Sequence, residues 1–381
     1  MWKVQLFKLN YTLAELNAIQ DVISSGWITM GEKTMEFENA FERFLGNGVR
    51  ATAVSSGTAA LHMAMLALGI KNNDEVIVPA LTFVADLNVT TLCGAKPVLA
   101  DCVSHELWNI DPSDIENKIT SKTKAVLVVH YAGYSCWMNE ITALCKRNEL
   151  FLIEDCAHSP GATYKGRPCG TFGDISCFSF FTNKNLSVGE GGMYVTSSDL
   201  LHQRGLHLRS HGMSTLTLDR HEGRAYSYDV VEPGLNYRMD EIRAALGLVQ
   251  LEKLQEANRL RKELVDRYYQ LLTNIREVSV PFKNGINGMS SYHILPIYLD
   301  SNLDRQRIMM DMKDGGIQTS IHYPSFKSFQ YYSFLQEYAT PIADDISSHE
   351  LTLPLYPNMG FESVDIVVDA LKKAIYRQVH T

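Results

Sequence analysis

The sequence predicts an α/β fold: a mainly parallel sheet with helices on both faces, joined to a smaller C-terminal α+β domain. Three observations lead there. Apolar runs of strand length at Glu75–Pro79, Pro97–Asp101, Ala125–His130 and Leu150–Asp155 alternate with helical segments such as Met138–Asn148, the pattern of a parallel sheet. From Asp240 onward, Ile242, Leu246, Val249, Leu254, Ala257, Leu260, Leu264, Tyr268 and Leu271 hold a helical period past the usual length, which predicts one helix crossing between domains. At 381 residues the chain also exceeds a usual single domain, and the boundary is expected near residue 255, dividing 1–255 from 256–381.

Taken in order, Leu13 to Ser25 has apolar residues at helical spacing, with Thr12 and Glu15 at capping-box separation and Gly26 as the C-cap. Thr34–Leu45 repeats the pattern. The turn Gly26–Gly31 between them holds Trp27 and Thr29, and physics alone gives Trp27 a packing role between two helices. Val54 ends a short strand, and Ser55-Ser56-Gly57-Thr58 precedes Ala59–Leu68, a run of strong helix formers. Such a turn is a ready anion site, because unpaired N–H groups and the helix dipole face the ligand. An ordinary N-cap explains the same residues. Ligands in parallel sheets sit at the carboxyl ends of strands, where Phe83 and Asp155 fall. Beyond the long helix, Glu277–Pro281, Tyr292–Leu299 and Ile317–Tyr323 are expected strands, and Arg305–Lys313 and Val364–Tyr376 expected helices.

The stretch from Asp174 to Thr196, DISCFSFFTNKNLSVGEGGMYVT, has two strand-like pieces around a polar loop. Lys184 sits in that loop. A lysine between hydrophobic walls loses proton affinity by desolvation, and a neutral amine is what forms a Schiff base with an aldehyde. Ser179 can donate to a phosphate, and Gly189, Gly191 and Gly192 let the chain turn where side chains would clash. A solvated lysine in a surface turn is the plainer account of the loop taken alone.

Composition limits the alternatives. Hydrophobic residues at 45% and charged residues at 20% describe an ordinary globular protein, and a net charge of −8 offers no basic surface for nucleic acid. No segment approaches a membrane-spanning run, and the N-terminus lacks the apolar core of a signal peptide. Seven scattered cysteines outside C-x-x-C pairs read as buried free thiols in a reducing cytoplasm. No metal-ligand spacing and no G-x-G-x-x-G after a strand is found.

Six ordered segments resemble the DegT/DnrJ/EryC1/StrS family of pyridoxal-phosphate-dependent sugar aminotransferases. They are GWITMG at 26–31, SSGTAALHMA at 55–64, PALTFVAD at 79–86, EDCAHSPGATYKG at 154–166, FGDISCFSFFTNKNLSVGEGGM at 172–193 and GLNYRMDEIRAALGLVQLEKL at 234–254. The resemblance spans nearly the whole chain and implies the aspartate aminotransferase fold, with a seven-stranded sheet. It implies that Lys184 forms the Schiff base with the cofactor and then moves the proton, and that Asp155 pairs with the pyridine nitrogen. The Glu154-Asp155 doublet leaves a one-residue ambiguity that only the family motif resolves; alone, Asp155 could cap the following turn. Gly57, Thr58 and Ser179 would hold the phosphate, Phe83 would stack on the ring, and His158 would lie near the cofactor's phenolic side. Phe83 as core packing, and His158 as a backbone-bonded structural histidine, are the ordinary readings of those residues.

Asn236, otherwise a turn residue, matches an asparagine that reaches the phosphate from the neighbouring subunit, so the resemblance implies a homodimer with shared sites. Trp27, Thr29, Arg238, His322 and Tyr323 become substrate-facing candidates. The implied reaction moves an amino group, from L-glutamate, to a keto group of a nucleotide-linked deoxysugar, in antibiotic or cell-surface polysaccharide biosynthesis. A cyclitol aminotransferase using glutamine or glutamate, a ketosugar dehydratase and a non-catalytic regulatory homologue remain alternatives; Lys184 argues against the dehydratase, which commonly has histidine there. Thr182-Asn183 and Tyr134-Ser135-Cys136 depart from the common pattern without removing a catalytic group.

Overall fold

The computed structural model describes residues 2–215, 223, 226–283 and 287–380. The chain opens with α1 (Leu13–Ser25), where Thr12 and Glu15 form the expected reciprocal cap and Gly26 closes the helix at φ 77°. After α2 (Glu32–Leu45) come β1 (Arg50–Val54), α3 (Gly57–Ala67), β2 (Glu75–Pro79), α4 (Ala85–Leu92), β3 (Lys96–Ala100), α5 (Pro112–Lys118) and β4 (Thr123–Val129). Then follow α6 (Met138–Arg147), β5 (Phe151–Asp155), a small hairpin of β6 (Thr163–Tyr164) and β7 (Arg167–Pro168), β8 (Ile175–Ser179), β9 (Gly192–Thr196) and α7 (Asp199–Arg209).

Seven strands form one sheet in the order β1-β9-β8-β5-β4-β2-β3. The run from β8 to β3 is parallel, and β9 lies antiparallel between β1 and β8. Two inverted pairings leave β1 parallel to β8, so the carboxyl ends of β1, β2, β5 and β8 all open on one edge. The strands are nearly all buried, as expected of a sheet covered on both faces.

The long helix predicted from Asp240 is α8 (Glu241–Leu272), capped by Asp240. It packs on α2 through Gly247, where a Cβ would come within 2.6 Å of the Phe37 ring; close approach of the two helices explains a glycine that costs an isolated helix about 1 kcal/mol. Phe37 and Phe41 in turn pack on Phe178 and Phe180, at ring separations of 4.9–5.7 Å. The FSFF run is thus clamped in place immediately before Lys184.

The C-terminal part holds β10 (Val278–Ser279), β11 (Leu295–Leu299), α9 (Arg305–Asp314), α10 (Pro341–His349), β12 (Glu350–Leu353) and α11 (Phe361–Val379), with an antiparallel sheet β10-β11-β12. The expected strand Ile317–Tyr323 is corrected here. Only isolated bridges form, Ile317 with Val4 and Ser320 with Thr352, because Glu350–Leu353 takes the place beside β11. Its residues His322 and Tyr323 instead turn toward the sheet edge described above. Val4 is buried with the C-terminal core, and residue 255 falls inside α8. Six of the seven cysteines are buried and Cys93 is half-buried; all are free. Among the described residues no helix is long and apolar enough to cross a membrane.

Candidate active site

Where those strand ends meet lies a cavity of about 330 Å³, large enough for a small ligand. Its lining includes Gly57, Thr58, Phe83, Asp155, His158, Ser179, Lys184, His322 and Tyr323, so nine of the sequence candidates converge from across the chain.

One end is the start of α3. Ser56 caps it, its Oγ accepting from Ala59 N at 3.0 Å, and the first helical N–H groups have no intrahelical acceptor. Gly57 sits so near Ser179 that a Cβ would lie 2.7 Å from that residue's Cβ. At Gly192 a Cβ would lie 2.5 Å from the Ser56 carbonyl. Two glycines therefore let helix start and β8 end close into one anion-sized cradle, with the helix dipole adding positive potential.

Lys184 occupies the floor. Its loop is closed by Phe180 N to Gly191 O and Val188 N to Phe180 O, at 2.8 and 2.9 Å, and turned by Lys184 N to Phe181 O at 2.8 Å. Gly189 supplies the turn at φ 90°. Burial pulls the Lys184 amine down to about 8, opposed by the negative charge of Asp155. Around it stand neutral imidazoles. Burial holds His158 and His293 well below their usual range, and lowers His322 to about 3, with the Lys184 charge acting in the same direction. His158 Nε2 lies 3.0 Å from the Tyr323 hydroxyl, and His322 Nδ1 lies 2.8 Å from Thr352 Oγ1.

The acidic doublet at the end of β5 divides cleanly. Asp155 faces the cavity, its Oδ1 accepting from Ala157 N at 2.7 Å. Glu154 faces the other side, fully buried, bonded to His130 Nε2, to the amides of Gly170, Phe172 and Gly173, and to Ser176 Oγ. Burial works to raise the Glu154 pKa, but His130 and the amides outweigh it and hold it below the usual range. The buried trio His130, Glu154 and Cys156 has the proximity of a metal site, yet both Glu154 oxygens are already spent on hydrogen bonds. Behind Asp155, the fully buried Asp86 accepts from Thr82 Oγ1 at 2.6 Å, and burial together with the Asp155 charge pushes it well above the carboxylate range.

The residues fit the cofactor that the resemblance implies. The glycine-lined cradle suits a phosphate, a depressed lysine amine suits an aldehyde, and a carboxylate faces the same cavity, where Phe83 presents a half-exposed ring 5.6 Å from that of Tyr323.

Four candidates lie outside this lining. Trp27 is half-buried and Thr29 exposed in the turn before α2, where Glu241 accepts from Gly31 N, Lys33 N and Thr34 N. Arg238 bridges Val54 through its backbone, and its Nη1 is buried with no hydrogen-bond partner among the described residues. Asn236 is exposed, its backbone bridged to Ser210. Conversely, the sequence reading missed Asp86, Asn185 and His293. His293 stands just before the apolar stretch of β11, in SSYHILPI, with no local signal that sets it apart from a core histidine.

Comparison with known proteins agrees. The model of the DegT/DnrJ/EryC1/StrS aminotransferase family matches residues 11–372. GDP-perosamine synthase of Escherichia coli O157:H7 is 37% identical over 373 residues, covering 97% of this chain and 98% of that protein. The spore coat polysaccharide biosynthesis protein SpsC of Bacillus subtilis strain 168 is 36% identical over 369 residues, covering 95% and 94%. The crystal structure of the aminotransferase TlmJ from Streptoalloteichus hindustanus superposes with a TM-score of 0.90 at 30% identity, covering all of both chains.

Proposed function

The chain belongs to the DegT/DnrJ/EryC1/StrS family and is a pyridoxal-phosphate-dependent sugar aminotransferase, and from that premise we propose that it transfers an amino group from L-glutamate to a keto group of a nucleotide-linked deoxysugar. The observation that carries this reading is the meeting, in one cavity, of the Lys184 amine, the Asp155 carboxylate and the Gly57–Ser179 cradle. The likeness to a protein named GDP-perosamine synthase supports a nucleotide-linked substrate.

Bound in the cavity, pyridoxal phosphate supplies an aldehyde for the lysine and a ring that takes up the electrons released when the donor's Cα–H bond breaks. Lys184 Nζ, with its proton affinity lowered by burial, is neutral often enough near pH 8 to act first as nucleophile and then as the base that collects and returns a proton. Asp155 would pair with the ring nitrogen and favour its protonated form. Gly57, Thr58 and Ser179 bind the phosphate through N–H and hydroxyl donors. Phe83 and Tyr323 wall off water. The exposure of Asn236 on its own subunit suits the reading that it completes a partner's site in a homodimer.

The test is the reverse reaction. Holoenzyme is given 2-oxoglutarate and a panel of aminated nucleotide-sugars, and glutamate is measured. Glutamate from one nucleotide-sugar identifies the product; glutamate from an amino-cyclitol alone would replace this substrate reading with the cyclitol one.

A further inference from the structure

Lys184 also touches a polar chain that the roles above leave unused. Its Nζ lies 3.5 Å from His293 Nε2, and His293 Nδ1 lies 2.9 Å from Asn185 Oδ1. Asn185 Nδ2 lies 2.8 Å from Asn258 Oδ1 and 2.7 Å from the Ser291 carbonyl, and Asn258 Nδ2 lies 3.0 Å from the Pro160 carbonyl. The chain thus runs from the reacting lysine to α8.

Its direction follows from the far end. A backbone carbonyl only accepts, so Pro160 and Ser291 require the amide nitrogens of Asn258 and Asn185 to face them. Asn185 Oδ1 is then the atom presented to His293, and since it too only accepts, His293 Nδ1 must bear the ring hydrogen. The Nε2 lone pair is left over, directed at Lys184. The strongest influences on His293 all disfavour an imidazolium: its own Nδ1–H is spent on a neutral amide, it is buried, and Lys184, Arg261, His158 and His322 crowd it with positive or potentially positive groups. His158 packs ring to ring at 4.4 Å.

We propose that His293 is a positioning residue for Lys184, in which Asn185 and Asn258 fix the tautomer that lets Nε2 accept one Nζ hydrogen. The bond holds the amine so that its lone pair faces the cavity. It also gives the lysine an acceptor while Nζ carries the extra proton between two carbon atoms, opposing the desolvation that would otherwise depress it further. The other titratable groups lining the cavity with Nζ are Asp155 and His158 from the end of β5, Glu190 from the lysine's own loop, and the adjacent His322 and Tyr323.

This rests on Lys184 being the cofactor-bearing lysine, which borohydride reduction of holoenzyme and peptide mapping check separately: an adduct on Lys165 or Lys146 would remove the proposed function and leave the following readouts untouched. In the apoprotein, trinitrobenzenesulfonate labelling of Lys184 is followed against pH by peptide mapping. Wild type is expected to show a midpoint near 8. His293→Phe keeps the site dry but removes the acceptor, so the midpoint should fall by about one pH unit, and His293→Gln, whose carbonyl can accept, should recover part of that shift. Independently, ¹⁵N-histidine spectra of wild-type apoprotein at pH 7 should show His293 protonated at Nδ1 and bare at Nε2. A folded His293→Phe with an unmoved midpoint, or an Nε2-protonated ring in wild type, overturns the proposal.

Discussion

Gly57 and Ser179 stand so close that a Cβ on the glycine would lie 2.7 Å from the Cβ of the serine, joining the start of α3 to the end of β8 at the anion cradle. Gly57→Ala forces those two elements apart. The expected loss is about 1–3 kcal/mol of unfolding stability from overpacking. Displacing the first N–H groups of α3 should weaken pyridoxal phosphate binding by roughly tenfold or more, about 1.4 kcal/mol. Fluorescence titration of apoprotein with the cofactor reads the second effect. Unchanged affinity would take the α3 terminus out of the phosphate site.

Glu154 and Asp155 are neighbours with opposite fates, and their variants should separate. Asp155→Asn is expected to cut turnover at least about a hundredfold with little change in melting temperature, because the charge acts on the ligand. Glu154→Gln leaves His130 buried without its anion and should cost roughly 3–5 kcal/mol of stability, the usual penalty for halving a buried pair. If Glu154→Gln instead lost activity in a stable fold while Asp155→Asn kept it, the roles of the doublet would be reversed.

Much of this arrangement was legible in the sequence, for identifiable reasons. The Thr12–Glu15 box, Gly26 and Asp240 are local signals, each satisfied within one turn of chain, and α1 and the start of α8 fall where they point. Strands β2, β4 and β5 have apolar centres because both faces are buried, so β2 falls at its expected bounds and only the ends of β4 and β5 shift by a residue or two. Ile317–Tyr323 failed because strand formation needs a vacant neighbour as well as a suitable pattern, and β12 had filled that place. His293 was invisible for a related reason. Its partner Asn185 is 108 residues away, and nothing local distinguishes it from a core histidine.

Glu350 gives the stability a pH dependence. Burial raises its carboxyl to about 7, against the opposing bonds from Thr352 Oγ1 and His322 N. The unfolded value is near 4.3, so the folded chain binds the extra proton between the two. Its contribution is therefore complete below about pH 4.3 and is lost as pH rises through 7, amounting to about 4 kcal/mol. Urea midpoints of wild type and Glu350→Gln measured from pH 5 to 8 should show wild type losing stability relative to the variant. Parallel curves would mean that Glu350 titrates normally.

The last prediction concerns how many subunits build a site. Asn236 is exposed and outside the lining of its own chain's cavity, so if it contacts the cofactor phosphate, as proposed, it does so across a dimer. Lys184→Ala and Asn236→Asp should each be nearly inactive alone, the second because a carboxylate would be forced against a phosphate. In a mixed dimer one site carries both defects and the other neither. Reassembly from partly unfolded mixtures should then restore up to about half the wild-type activity per heterodimer, by counting intact sites. If the contact lies within one chain, every site in the heterodimer keeps one defect and no activity returns. With heterodimer formation confirmed by mass, that result would remove Asn236 from the shared site.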